Sequence, residues 1–345
     1  MKIEFEHIAS YAKELGFVAV GYAPAHELAD EIPHYLQAMD KGHFASLEYL
    51  KRNLEKRFNP QRLVEGAKSV LVFLAPYGKE RDTEYIEISF PANSDLPTDT
   101  PHRESMQPQA LQKKSVSDGK TEGTLLFKVA QYALGEDYHR VIKGKLNAVL
   151  EKMKYADPSI CGRVFVDTAP VLERAWAVQA GLGFIGKNNL FISREHGIRN
   201  FIGVIISNYE ILNEQEASKA GFAGETITES LSNLERGEVL SGVKKVKEIG
   251  KKYCGNCTRC LDSCPTGALC APYSLDAGRC ISYLTIEEKG ASIASNIGNA
   301  HSRDGWIFGC DACLNACPWN SRNGKGWKEF EQKCTPLEAS HLRRR

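Results

Sequence analysis

The sequence predicts an α/β domain over residues 1–208 and a compact cysteine-rich domain over 253–345, joined by a polar helical connector over 209–252. Three observations carry this. The chain has 345 residues, enough for about two domains. Strand-like apolar runs alternate with helix-period segments through the first 208 residues. And nine of the 11 cysteines fall between Cys254 and Cys317. The balance of 44 Lys+Arg against 43 Asp+Glu, with 42% hydrophobic and 25% charged residues, excludes wholesale disorder and a collagen-like fibre. The start lacks an uncharged run of signal-peptide type, and no stretch approaches the ~18 apolar residues of a membrane span, so a cytoplasmic protein is expected. A net charge of +1 argues against gripping long nucleic acid by bulk electrostatics but permits a local basic patch.

In chain order, Phe5–Leu15 has the spacing of an amphipathic helix and Phe17–Tyr22 that of a short strand. Glu27–Arg57 reads as mostly helical, interrupted near Pro33 and Gly42. Lys68–Pro76 (KSVLVFLAP) is an almost unbroken apolar run, which suits a strand buried on both faces. Pro91–Gly123 has four prolines and no aromatic residue, the composition of a mobile loop or lid. Helical periodicity is read at Thr124–Leu134 and Tyr138–Tyr155, a strand at Arg163–Asp167, a helix at Pro170–Ala180, and strands at Asn189–Ser193 and Phe201–Ser207. The connector ends in SGVKKVKEIGKK, with five lysines; such a run is a solvated face or a phosphate-contacting patch.

The cysteine spacing is the most specific signal. Residues 254–265 read CGNCTRCLDSCP, the C-x2-C-x2-C-x3-C-P run of bacterial ferredoxins, in which three thiolates hold one [4Fe–4S] cluster and the fourth reaches the other. Residues 310–318, CDACLNACP, form a second run one cysteine short, and Cys280 completes it. The ligands then close as Cys254, Cys257, Cys260 and Cys317 for one cluster, and Cys264, Cys280, Cys310 and Cys313 for the other. Zinc is the alternative, since paired C-x2-C units also build tetrahedral sites. The prolines after Cys264 and Cys317, and the third and fourth cysteines, oppose it. Cys161, Cys270 and Cys334 remain outside this count and read as incidental thiols. The second domain is therefore ferredoxin-like with two [4Fe–4S] clusters, and the large domain beside it points to a reductase rather than a simple carrier.

Two motifs mislead. GLGFIGK (181–187) fits both G-x-G-x-x-G and the start of a P-loop, but a helix precedes the glycines and a strand follows them, the reverse of what a phosphate site needs. Asp137–His139 begins the D-x-H-x-x-G pattern that supplies a histidine to cobalt, yet Ile142 stands where the glycine should be.

The segments VDTAPVLERAWAVQAGLGFIGKNNLFIS (Val166–Ser193), CGNCTRCLDSCPTGAL (Cys254–Leu269), LDAGRCISYLTIEEKG (Leu275–Gly290) and FGCDACLNACPWN (Phe308–Asn320) resemble the epoxyqueuosine reductase family, with weaker support from Tyr49–Tyr77 and Tyr132–Ile142. The resemblance implies an α/β cobalamin-binding domain and an oxidoreductase that removes the epoxide oxygen of epoxyqueuosine at the wobble position of tRNA, with cobalamin fed by the clusters. It assigns the general acid to Asp167, which taken alone reads as a helix N-cap. A donor there needs a raised pKa, which partial burial can supply. It also makes Arg57, Ser282 and Asp311 cobalamin contacts and places Tyr138 and His139 in the same pocket, without a histidine on cobalt. Asn59 departs from the family's usual aspartate, and FKVAQYALG lacks the cysteine some members carry near the cobalt. The chain ends soon after the second cluster, so tRNA contacts are expected elsewhere than in appended helical repeats, with Lys244, Lys245, Lys247, Lys251 and Lys252 as candidates. The partners are then a tRNA and an electron donor that the sequence does not identify, and a monomer is expected. A corrinoid reductase of a small molecule, dehalogenase-like, and a ferredoxin-like electron carrier are the competing readings.

Overall fold

The computed structural model describes residues 4–78, 85–90, 111–112, 123–210 and 253–331. The lysines of 244–252, Cys334, and most of the expected lid and connector lie outside the described residues.

The central sheet has four strands in the order β1 (Ala19–Pro24), β2 (Ser69–Pro76), β9 (Asn200–Ser207), β6 (Gly162–Phe165), every neighbouring pair antiparallel. Strand β2 is buried along its whole length, as its apolar run requires. Its alternation divides the core in two. Leu71, Phe73 and Ala75 face helices α1 (Phe5–Glu14) and α5 (Tyr138–Ala156), whereas Val70, Val72 and Leu74 face α6 (Glu173–Gln179) and the Phe58–Ala67 segment. Gly203 lets α5 close on the sheet: a Cβ there would lie 2.5 Å from Leu146 Cδ1 and 3.0 Å from Ile142 Cγ2. The stretch 27–57 divides into a short 3-10 turn, α2 (Ile32–Asp40), α3 (Glu48–Lys51) and, running on to residue 58, α4 (Leu54–Phe58). Pro33 begins α2 rather than breaking it, in keeping with its missing N–H at a position where none is needed.

One expectation is corrected. Thr124–Leu134 is not a helix: Gly123–Val129 forms strand β5, which pairs antiparallel with β3 (Tyr85–Phe90) and with β4 (Leu111–Gln112), and cross-strand partners override its helical spacing. Contacts also cross residue 253. Strand β12 (Trp306–Phe308), from the cysteine-rich segment, adds parallel to β5. Trp327 and Phe330 then return to the first core, where Trp327 Nε1 donates to the Gly16 carbonyl at 2.7 Å.

The cysteine-rich part is built from short turns: α7 (Arg259–Asp262), the hairpin β10 (Leu269–Ala271) and β11 (Ser274–Leu275), a π-helical turn at Tyr283–Glu287, α8 (Ile293–Gly298), and α9 (Ala312–Asn315). The π turn is fixed from within, since Thr285 Oγ1 donates to the Ile281 carbonyl and accepts the Gly309 N–H. Asn296, 1% exposed, ties the Thr285 and Ile307 carbonyls together. Among the described residues no helix is long and apolar enough to cross a membrane.

Candidate active site and cluster sites

Asp167 sits just past β6 on the turn leading into α6, in a left-handed conformation with φ of 50°. Its N–H donates to Glu173 Oε1 at 3.1 Å. The side chain is met from across the sheet by the first turn of α5: Tyr138 Oη donates to Asp167 Oδ2 at 2.5 Å, and His139 Nε2 stands 3.8 Å from the same oxygen. That second distance suits charge attraction and is too long for a direct hydrogen bond. Asp137 caps α5 by accepting the His139 N–H, and its Oδ1 also holds His139 Nδ1 at 2.9 Å. With Nδ1 engaged, Nε2 is the ring nitrogen left to face Asp167.

Although the Asp167 side chain is 68% exposed, enough protein surrounds it to penalise its charge. That combination describes a carboxylate on the wall of an open cleft. Burial pushes its pKa up, but His139 and Tyr138, with Arg174 behind them, outweigh this and hold the carboxyl below the usual range. The raised pKa expected for a donor is therefore not found on Asp167. It is found on Glu173, which burial and the Asp167 charge push up to about 7. Burial and Asp167 also drive the Tyr138 phenol upward, which keeps it a proton donor to the carboxylate.

The opposite wall is traced by shared electrostatics. Tyr49, 54% exposed, and Tyr132 both feel the charges of Asp167 and Glu287, and burial first of all pushes Tyr49 up to about 12. Tyr49 and Tyr132 thus lie within charge reach of both the Asp167 turn and the π turn, and Ser282 stands half-buried just before the π turn. Arg57 closes one side: it is buried, it donates through Nη2 to the Tyr49 carbonyl and it lies over the Tyr35 ring. Its Nε has no partner among the described residues. Tyr138 and His139 meet at Asp167, and Tyr49 stands within charge reach of Asp167, Glu287 and Arg57. Asp311 is buried instead: its side chain is 3% exposed, and Oδ2 accepts the Gln131 N–H at 2.8 Å and faces Arg199 Nη1 at 3.4 Å. A carboxylate between two cluster cysteines is drawn inward by this buried arginine.

Arg199 and Lys187 are the residues that sequence reasoning missed. Arg199, at the head of β9, also donates to Gln131, Asn315 and Asn320, and so knits the sheet to the cysteine loops. Its position beside the apolar strand FIGVIIS was the available signal. Lys187, the last residue of GLGFIGK, donates through Nζ to the carbonyls of Gly255 (2.7 Å) and Cys257 (3.0 Å). The motif therefore grips a cysteine loop and not a nucleotide.

All ten described cysteines are free thiols. Their mutual charge effects fall into two sets. Cys254, Cys257, Cys260 and Cys317 act on one another, and Cys264, Cys280, Cys310 and Cys313 do likewise, with Cys260 reaching Cys313 between the sets. Among the described residues no three His, Cys, Asp or Glu side chains close on a single ion, as zinc at about 2.0–2.3 Å from each ligand demands. Burial raises most of these thiols, Cys310 to about 12 and Cys317 to about 11. Cys264 runs the other way: burial raises it, and the Leu269 N–H and the Thr266 groups more than compensate. Loading iron therefore expels protons from buried thiols. Cys161 and Cys270 are exposed and outside both sets.

Two family models match the chain. A 4Fe-4S double cluster binding domain matches residues 253–320, and the epoxyqueuosine reductase QueG domain (DUF1730) matches residues 104–168. The chain is 33% identical over 318 residues to an epoxyqueuosine reductase of Cyclobacterium marinum, covering 92% of this chain and 79% of that protein. It is 32% identical to that of Leadbetterella byssophila, covering 92% and 80%. A crystal structure of epoxyqueuosine reductase with an epoxyqueuosine-modified tRNA-Tyr stem loop superposes with a TM-score of 0.63 at 24% identity, over 95% of this chain and 68% of the other.

Proposed function

The chain belongs to the epoxyqueuosine reductase family, and from that premise we propose that it reduces epoxyqueuosine in tRNA to queuosine. The reaction takes up two electrons and two protons and releases the epoxide oxygen as water. The observation that carries the reading is a solvent-open acid, Asp167, set under Tyr138 and His139 in a cleft whose far wall is the π turn between Cys280 and the second cysteine run. An electron carrier has no use for such an acid.

The cleft fits cobalamin. Arg57 offers a buried Nε without a partner among the described residues, and Ser282, Tyr138 and Asp167 are the further residues that would hold it. When bound, cobalamin supplies a low-valent centre able to engage an epoxide carbon.

The protein's own part is the proton. Asp167 stays ionised between turnovers because Tyr138 and His139 favour its charge. Asp167, open to solvent, takes up a proton and delivers it to the oxygen released from the ring, with His139, oriented by Asp137, standing beside Oδ2. Tyr138 keeps its proton and fixes the direction of the carboxylate. The two cysteine sets would hold clusters able to supply the electrons, a tRNA is the substrate, and the cytoplasm is the compartment.

Nucleoside mass spectrometry of tRNA from cells lacking this gene tests the reading. Epoxyqueuosine accumulates and is cleared on complementation with the wild-type gene; queuosine at its normal level in the deletion refutes it.

A further inference from the structure

The GLGFIGK motif ends in a charge that the reaction described so far does not use. Strands β7 (Gly183–Ile185) and β8 (Phe191–Ser193) form a hairpin, closed by the Gly186 N–H to the Leu190 carbonyl at 2.9 Å and by Asn189 at φ 63°. Its tip is pressed into the first cysteine loop on three sides. The ammonium of Lys187 donates to the carbonyls of Gly255 and Cys257. The Lys187 N–H is directed at the Cys254 thiol, and the Lys187 carbonyl accepts the Tyr273 N–H at 3.0 Å. Beneath the hairpin, Phe184 stacks on Tyr253, the residue before Cys254, with centroids 4.7 Å apart. Asn188, 4% exposed, uses Oδ1 to hold the Leu190 N–H, so the tip is rigid.

A half-buried ammonium held by backbone carbonyls of the ligand loop cannot swing away into water as a surface lysine would. A [4Fe–4S] cluster becomes one unit more negative when it takes an electron, and a fixed positive charge in a medium of reduced dielectric favours that form. We propose that Lys187 sets the reduction potential of the cluster held by Cys254, Cys257, Cys260 and Cys317, keeping it higher than its thiolates alone would give. This rests on that ligand assignment. The neighbouring cluster, held by Cys264, Cys280, Cys310 and Cys313, is not contacted by the Lys187 ammonium, so the charge acts on one cluster of the pair.

The test is a potentiometric titration with dithionite of the anaerobically purified holoenzyme, followed by electron paramagnetic resonance, for wild type, Lys187→Gln, Lys187→Met and Lys187→Arg. Iron is counted for each. Gln keeps a donor for the carbonyls and removes the charge. Gln and Met are expected to move one midpoint to more negative potential and leave the other in place, while Arg stays at the wild-type value. Unmoved midpoints in Gln and Met at full iron content overturn the proposal. So does an Arg variant displaced as far as Met, or loss of the cluster in Gln, because either makes the residue a structural clamp. No tRNA and no turnover enter the measurement, so an enzyme that lacks epoxyqueuosine reductase activity but shows the selective shift sinks the functional reading alone. A wild-type protein without iron sinks the ligand assignment and this proposal together.

Discussion

Replacing Arg199 with methionine is expected to be among the most damaging single changes in the molecule. The guanidinium is 1% exposed and the Asp311 carboxylate 3% exposed. Methionine fills much of the arginine's volume but removes the charge facing that carboxylate and the donors that Arg199 gives to Gln131, Asn315 and Asn320. Breaking a buried pair by removing one partner costs about 3–5 kcal/mol. Each kcal/mol displaces the midpoint of thermal unfolding by roughly 2 °C in a large domain, so a fall of about 6–10 °C follows. The assay is thermal unfolding of the anaerobic, iron-loaded protein, read by circular dichroism alongside the iron–sulfur absorbance. The double variant Arg199→Met, Asp311→Asn removes both charges, and it should recover about 1–3 kcal/mol relative to the sum of the single changes. A single variant within 1 kcal/mol of wild type, or a double variant equal to that sum, would falsify the view that this pair locks the cysteine loops to the sheet.

Asp167→Asn should keep the fold and cut turnover by about 10²–10⁴, the worth of a positioned proton donor; unchanged turnover in a tRNA-conversion assay removes Asp167 from the mechanism. Glu173→Gln keeps an acceptor for the Asp167 N–H and removes a carboxyl that burial pushes up to about 7 from its ordinary 4.5. Between those values the folded wild type holds a proton that the unfolded chain has released, so its stability falls as pH rises from 4.5 to 7. The variant should therefore gain about 3 kcal/mol above pH 7 and nothing below pH 4.5, and a gain independent of pH in urea unfolding contradicts the reasoning. Gly197→Ala meets a backbone at φ 69° and drives a methyl group into Asn323 Oδ1 and to within 2.8 Å of the Trp319 carbonyl. That amide oxygen accepts the N–H groups of Ile198 and Arg199, so a loss above about 1 kcal/mol is expected, and a neutral result in the same unfolding assay counts against the clash.

What could be read from the sequence followed how local each signal was. The run at 69–76 announced its burial because every position in it is apolar or small, and α5 announced itself through nineteen residues of consistent period. The double-cluster domain was legible because ligand spacing is imposed by the cluster and hardly at all by the rest of the fold. Strand β5 was misread because TLLFKV satisfies either period over so short a span, and its partners at 85–90 and 306–308 are remote in the chain. The same remoteness hid Lys187 and Arg199, whose partners lie 68 or more residues away. Asp167 could be located by motif, but its electrostatic state could not, since that depends on Tyr138 and His139 arriving from another element.

The return of the late segment to the first core also bears on how the chain is made. Trp327 bonds Gly16 across 311 residues, and β5 receives its parallel neighbour only when residues 306–308 exist. At about 5–20 residues per second, a ribosome takes roughly 15–60 s to synthesise that interval. In the later part of that interval, once β5 and β9 have been made, the nascent chain carries an unfinished sheet edge and an uncovered aromatic floor at Phe17 and Phe201, the surfaces that Trp327 and Phe330 later cover. Emergence of the cysteine-rich segment thus finishes the first core as well as the cluster sites, and chaperones that bind exposed strands have their longest opportunity before it appears.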